Sequence, residues 1–331
     1  MTCLRALVLL LGFSVFATEA AGECLSAPAL EEISTADGVA VAGATNRDRL
    51  GRVVAPVMVN GEGPYRFIVD TGANRSVVSA ALAARLDLPM IGEGTVHSVH
   101  GATLAPLVAV QTLQYGDLSV PSSQMPMLQG AMLAGEQGLL GVDGMQGRRL
   151  MLDFDAGCIE ILPANRARPL GRGWTRMRGE LQFGNLVVIE GRIDGLRVNV
   201  LIDTGSNVSL ANNALRQALA DRVRYNRDPA SYGRAYTAGE PLVLDTAIVV
   251  PQLEVGELNM TGMLLFVGDF HVFSLWGLDA EPTVLVGMDV LSKARAMAID
   301  YQRATVYFRL DSRNRAGARL SDEQVMFRSS R

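Results

Sequence analysis

Val57-Met-Val-Asn-Gly-Glu-Gly-Pro-Tyr-Arg-Phe-Ile-Val-Asp70-Thr-Gly-Ala-Asn-Arg-Ser76 and Val188-Ile-Glu-Gly-Arg-Ile-Asp-Gly-Leu-Arg-Val-Asn-Val-Leu-Ile-Asp203-Thr-Gly-Ser-Asn-Val-Ser209 follow one script. The alternation and β-branched content before each Asp predict strands, and Asn60-Gly61 and Asp194-Gly195 are strong hairpin-turn signals. Each passage therefore reads as a hairpin whose second strand runs into Asp-Thr-Gly. Beyond each turn come a short apolar run and a helical stretch, Ser79 to Leu86 and Asn212 to Ala220. Leu113-Gln-Tyr-Gly-Asp-Leu118 then matches Leu253-Glu-Val-Gly-Glu-Leu258, a strand, a turn and a strand. The copies converge on Gly138-Leu-Leu-Gly-Val-Asp143 and Val284-Leu-Val-Gly-Met-Asp289, each followed by an apolar strand holding Asp153-Phe154 or Asp300-Tyr301. Matched features in matched order make an internal repeat, near residues 55–160 and 186–308.

A chain of 331 residues is long enough for two folded units, and 49% hydrophobic with 19% charged residues is a globular composition. The net charge of -4 and the lack of a dense Lys/Arg cluster exclude nucleic acid as a partner. Lys293 is the only lysine, so lysine-dependent chemistry elsewhere is excluded as well. Met1 to Arg5, the apolar run Ala6 to Ala17 and the small residues Ala20, Ala21 and Gly22 read as a secretory signal peptide. That predicts export to the periplasm or medium, with a bacterial source favoured, and no membrane association after cleavage. An oxidising destination would let Cys24 and Cys158 form a disulfide. The segments expected are 1–22 signal peptide, 23–49 N-terminal arm, 50–163 first lobe, 164–173 Pro/Gly/Arg-rich linker, 174–311 second lobe and 312–331 polar tail, with a short helix from Ser321 as an option.

Two apolar residues, Asp-Thr-Gly and Ala or Ser, followed downstream by two apolar residues and Gly, resemble one lobe of a retropepsin-like aspartyl protease. Two copies in one chain are similar to the pairing of lobes in pepsins. The resemblance implies an all-β fold of two similar closed-barrel-like lobes with short helices and an active site at their interface. It implies an aspartic endopeptidase acting on polypeptide, with Asp70 and Asp203 as the catalytic pair, no metal and no cofactor. One carboxylate would deprotonate a water while the other, protonated, serves as the acid. Gly72 and Gly205 would let the backbone turn and free N–H groups for the carboxylates. Thr71 and Thr204 would reach across to the opposite loop. In this family a hydroxyl after the glycine bonds the carboxylate, so Ser206 in one turn and Ala73 in the other would leave the dyad easier to protonate than a site with two hydroxyls. The copies depart from pepsins in their short length, and the first lacks the flap tyrosine.

Flaps are expected near Thr95 to Leu104 and near Tyr232 to Pro241, with His100, Gly101, Ala238 and Gly239 as candidates at the tips. His97 and His100 lack a third metal ligand, and His271 lies in an unrelated stretch of sequence, so a flap turn is the better reading. Asp143 and Asp289 read as helix caps, and Asp153 and Asp300 as turn or strand-end residues. The sequons at Asn74 and Asn207 fall inside the catalytic turns, where a glycan would obstruct the cleft. The chain lacks a Gly-x-Ser-x-Gly elbow, a phosphate loop and a His-Glu-x-x-His helix, the parts of rival hydrolases. A peptide-binding or scaffold protein that keeps the fold without turnover remains the alternative. Intrachain pairing of the lobes, in a monomer, is simpler than pairing between chains.

Overall fold

The computed structural model describes residues 47–310 except 117, 130–132, 221–224, 227–232, 236–241 and 245, together with 319–321. The expected signal peptide, Cys24, Ala238 and Gly239 lie outside the described residues.

The first repeat contributes β1 (Val54–Val59), β2 (Glu62–Val69), β3 (Val77–Ser79), β4 (Met90–His97), β5 (Ala102–Tyr115), β6 (Leu118–Leu128) and β7 (Gly138–Leu140). Their order is β1-β2-β7-β3-β6-β5, and β5 pairs back onto β1, closing a barrel; β4 extends β5 beyond it. β8 (Arg148–Asp153), β9 (Cys158–Pro163) and β10 (Trp174–Gln182) follow. The second repeat gives β11 (Leu186–Ile193), β12 (Leu196–Ile202), β13 (Leu210–Ala211), β14 (Tyr225–Asn226), β15 (Gly233–Ala235), β16 (Leu242–Leu244), β17 (Ala247–Val255), β18 (Leu258–Val267) and β19 (Thr283–Val286). β17-β18-β13-β19-β12-β11 repeats the first order, with Arg192 opposite Glu254 joining β11 to β17. β20 (Ala296–Asp300), β21 (Thr305–Arg309) and β22 (Arg319–Ser321) end the strands. Both lobes are thus all-β, as the repeat requires.

Local chemistry accounts for the hairpins and helices. Asn60 and Gly61 adopt φ of 53° and 82°, and Asp194 and Gly195 adopt 49° and 78°, the left-handed pair that a tight hairpin turn demands. Helix α1 (Ala80–Arg85) starts at Ser79, whose side chain accepts from the Leu82 N–H; α2 (Asn213–Ala218) starts at Asn212, which accepts from the Leu215 N–H. Two further short helices, α3 (His271–Leu275) and α4 (Met288–Leu291), belong to the second lobe. β2 is exposed at its start and buried over its last five residues, ending one residue before Asp70. The strand therefore carries Asp70 from the hairpin tip into the interior. Each fully buried Val, Ile or Leu along such strands contributes about 1.5–3 kcal/mol of apolar burial.

The ends of the two copies meet in one sheet, ordered β9-β8-β20-β21-β10, in which β8 pairs antiparallel with β20 from Ala296 opposite Asp153 to Asp300 opposite Arg149. β10 then continues from β21 onto β11. The boundary expected at residue 163 is therefore not a structural seam, because β8 and β9 are stitched to strands of the second copy. Among the tail residues, Arg319–Ser321 form a strand parallel to β18, and the residues beyond Ser321, where the sequence allows a helix, lie outside the described residues. No helix among the described residues is long and apolar enough to cross a membrane.

Candidate active site

Asp70 and Asp203 follow directly on β2 and β12, and the backbone N–H of each is tied down: that of Asp70 donates to Leu140 O and that of Asp203 to Val286 O, at 2.9 and 3.0 Å. The strands β7 and β19 that supply those carbonyls are the apolar-apolar-Gly elements of the repeat. Their glycines are required by contact. A Cβ on Gly141 would lie 2.7 Å from the Arg75 carbonyl carbon, and one on Gly287 would lie 2.3 Å from Val208 O. Asp143 and Asp289 complete this support. Ser76 donates through N and Oγ to Asp143 Oδ1 at 2.9 and 2.6 Å, and Ser209 donates to the Asp289 oxygens at 3.0 and 2.8 Å. The same hydroxyls accept from the N–H groups of Gly141 and Gly287. These two aspartates are therefore braces between the turn and the element below it, correcting their reading as helix caps; the N-cap of α4 is Gly287, with no side-chain cap. Asp153 and Asp300 end β8 and β20, as the strand-end reading expects, and accept from the Asp155 and Ala156 N–H groups and from the Gln302 and Arg303 N–H groups of the turns that follow.

The two turns are locked to each other reciprocally. Thr71 Oγ1 donates to Ile202 O at 2.7 Å and accepts from the Thr204 N–H at 3.1 Å; Thr204 Oγ1 donates to Val69 O at 2.6 Å and accepts from the Thr71 N–H at 3.2 Å. Both threonines are buried. Four bonds across the lobe interface, made in a dry interior, fix the register of the carboxyls beside them. Gly72 N–H donates to Asp70 Oδ1 at 2.9 Å, and Gly205 and Ser206 N–H groups donate to Asp203 Oδ1 at 2.8 and 3.2 Å.

The glycines of the turns have a reason the sequence did not give. Neither has a positive φ, so backbone freedom is not what selects them. A Cβ on Gly72 would lie 2.6 Å from Asp203 Cγ, and one on Gly205 would lie 2.2 Å from Asp70 Cγ. Each glycine vacates the space taken by the opposite lobe's carboxyl.

The carboxyls share a hydrogen bond, and burial raises both above the ordinary carboxylate range. For Asp70 the rise is countered by the Gly72 N–H, by the bond from Asp203 and by the charge of Arg52. For Asp203, which is buried, the negative charge of Asp70 adds to burial and pushes it well up. Both shifts describe a pair that titrates as a unit, in which two buried carboxyls in contact do not both ionise readily. Arg52 is buried, ion-paired to Asp48 at 2.7 Å, and donates from Nη1 to Gly205 O at 3.3 Å. Register equates it with a residue of the second lobe: Val54 pairs with Ile68 and Val188 with Leu201, each partner two residues before its Asp, so Arg52 corresponds to Leu186. That unmatched cation makes the dyad asymmetric.

Ser206 does not supply the asymmetry. Its hydroxyl donates to Val208 O at 2.7 Å, closing the turn, and the Asp203 carboxylate receives the Ser206 N–H instead. The expectation drawn from Ala73 and Ser206 is corrected accordingly.

A cleft of about 280 Å³ opens above the dyad. The first lobe lines it with Ala73, Val77, Leu128, Leu133 and Leu139, the second with Val272, Leu275, Trp276 and Leu285. Its roof is the β4–β5 hairpin, contributing Thr95 through Val99. His100 and Gly101 lie in the hairpin turn, where Ser98 N–H donates to Gly101 O at 2.8 Å, but they do not line the cleft. A Cβ on Gly101 would meet nothing within 4 Å, so no close approach requires glycine there. Contrary to the sequence reading, His271 is not unrelated to the flap: its ring stacks on His97. Cys158 is disulfide-bonded. Among the described residues no group of three or more His, Cys, Asp or Glu side chains could hold a metal ion.

A family model described as aspartyl protease matches residues 55–143 and 189–290. Each matched range contains one Asp-Thr-Gly turn and one apolar-apolar-Gly element. Among curated proteins, none matches the chain.

Proposed function

The chain belongs to the aspartyl protease family, and from that premise we propose that it is an aspartic endopeptidase whose catalytic pair is Asp70 and Asp203. The observation that carries the reading is the pair itself: two buried carboxyls from two lobes in hydrogen-bonding contact at the floor of a roofed cleft. Asp70, the carboxylate, accepts a proton from a water held between the two groups. Asp203, the acid, gives its proton to the scissile carbonyl oxygen as the water oxygen bonds to the carbonyl carbon. Collapse of the resulting gem-diol breaks the C–N bond: the proton held by Asp70 passes to the leaving nitrogen, and Asp203 takes a proton back from one of the gem-diol hydroxyls, which restores the dyad. The products are a carboxylic acid and an amine. Thr71, Thr204, Gly72 and Gly205 hold the pair in register, which is where such a reaction gains most of its advantage from positioning.

The apolar walls on both sides of the dyad favour hydrophobic side chains flanking the cleaved bond. The substrate is an extended polypeptide, which the hairpin roof covers. We further propose export by the N-terminal segment and action as a monomer, since one chain supplies both aspartates.

The test is incubation of the mature protein with a mixed peptide library from about pH 3 to pH 8, the span over which carboxyl pairs titrate, alongside Asp70→Asn and Asp203→Asn. Cleavage lost in both variants is expected, with hydrophobic residues enriched beside the cut. Cleavage that survives both substitutions would sink the assignment, and binding without cleavage by the wild type would favour the scaffold alternative.

A further inference from the structure

All three histidines of the chain belong to one region: His97 ends β4, His100 lies in the turn after it, and His271 opens α3 of the second lobe. His97 Nδ1 and His271 Nε2 are 2.9 Å apart, and the rings stack at 5.2 Å with planes 16° from parallel. The contact crosses the cleft mouth. Two further contacts join it: the His271 N–H donates to Val99 O at 2.9 Å, and the Val99 side chain packs against the second lobe's apolar cluster, which includes Phe270, Phe273 and Leu285. On the first-lobe side, Val96 and Ala105 of the hairpin pack with Leu128 and Leu133. β4 is mostly exposed along its length and pairs with β5 alone.

We propose that His271 is a positioning residue for the flap: with His97 it forms a latch that holds the hairpin closed over the dyad, and the latch releases when both imidazoles are protonated. Its consequence for turnover rests on the peptidase reading above; the latch itself does not. A bond between two ring nitrogens needs one N–H and one bare nitrogen, so at least one ring must be neutral. Two imidazoliums would set donor against donor and charge against charge at the same distance. Imidazole is the side chain that changes charge between about pH 5 and pH 8.

Other charged groups near the pair are His100 in the turn, Asp269 ahead of α3, Arg75 on the first lobe's wall, and Asp70 and Asp203 on the floor. Asp269 is bonded to Asn213 Nδ2, and neither His97 nor His271 forms an ion pair among the described residues.

The experiment places spin labels on the full mature chain at Leu104→Cys, exposed on β5, and Ala280→Cys, exposed beyond α3. Pulsed dipolar distances are then measured at about pH 8 and about pH 5, on either side of imidazole titration. The parent should give one narrow distribution at the higher pH and a longer, broader one at the lower. His271→Gln keeps a hydrogen-bonding group but cannot titrate, so its distribution should be the same at both. His97→Ala should resemble the acid form throughout. A parent distribution unchanged between the two pH values, or a His271→Gln variant that shifts as the parent does, overturns the latch. These distances need no turnover, so failure of the peptidase reading would leave them intact. Where cleavage is detected, the parent's KM at about pH 5 should exceed that of His271→Gln by about tenfold, the equivalent of ~1.4 kcal/mol of flap docking, with kcat following the dyad in both proteins.

Discussion

Gly205→Ala tests how the dyad is held. The added carbon would lie 2.2 Å from Asp70 Cγ, whereas non-bonded carbons settle at about 3.5–4.0 Å. One of the two must therefore move by about 1.3 Å or more. The turn cannot easily absorb this, because Thr204 on one side and the Ser206 N–H on the other are fixed by cross-lobe and carboxylate bonds. Asp70 is the group that yields. A misplacement of about 1 Å in a reacting group costs on the order of a hundredfold in rate, so kcat should fall by about that factor or more. Gly72→Ala, where the carbon would meet Asp203 Cγ at 2.6 Å, needs about 0.9 Å of relief and should lose less. Gly101→Ala, meeting nothing within 4 Å, is the control and should match the parent. The assay is kcat on a peptide cut by the parent, with thermal melts to separate displacement of the dyad from loss of fold. If Gly205→Ala stays within threefold of Gly101→Ala, by the same rate-versus-displacement argument, the glycines are not there to make room for the carboxyls.

Asp203 holds its proton more tightly in the folded chain than unfolded, so its contribution to stability is full below the unfolded carboxylate range and is lost as pH rises through the raised folded value. Asp203→Asn should therefore gain Tm over the parent toward pH ~8 but not near pH ~4, at ~2 °C per kcal/mol for a chain of this size; equal differences at the two would contradict the raised value. Arg52→Leu, which copies the second lobe's Leu186, leaves Asp48 buried without its partner and should cost about 3–5 kcal/mol in denaturant unfolding. It also removes a charge that lowers Asp70, so the acidic limb of the pH–rate profile should move to higher pH; an unmoved limb would refute the role given to Arg52. Pairing it with Asp48→Leu keeps the measurement interpretable if the single variant folds poorly. Ala73→Ser should leave the pH–rate profile where it is, because the matching hydroxyl of Ser206 bonds Val208 O and not the carboxylate; a shift toward acid would restore the hydroxyl explanation.

The sequence by itself determined the repeat, its hairpins and the identity of the pair. Asn60-Gly61 and Asp194-Gly195 adopt the turn their side chains demand, Ser79 and Asn212 cap the helices they precede, and both Asp-Thr-Gly turns end buried strands. These are consequences of near-neighbour sterics and periodicity, which a linear pattern displays. Tertiary structure alone decided what each conserved-looking part of the pattern is for. Thr71 and Thr204, 133 residues apart, are expected from the resemblance to reach across, and the structure supplies the acceptors, Ile202 O and Val69 O at the ends of the opposite strands. Gly72 and Gly205 are small for the sake of the opposite lobe's carboxyl, not their own turn. Arg52 and His271 had no motif to mark them, and both act on the other lobe. The two halves carry the same pattern, but the differences that distinguish Asp70 from Asp203 arise where the halves meet, from a cation present on one side and a leucine on the other. Contacts across that interface depend on how two barrels dock through a shared sheet, and no local rule of sequence encodes the docking.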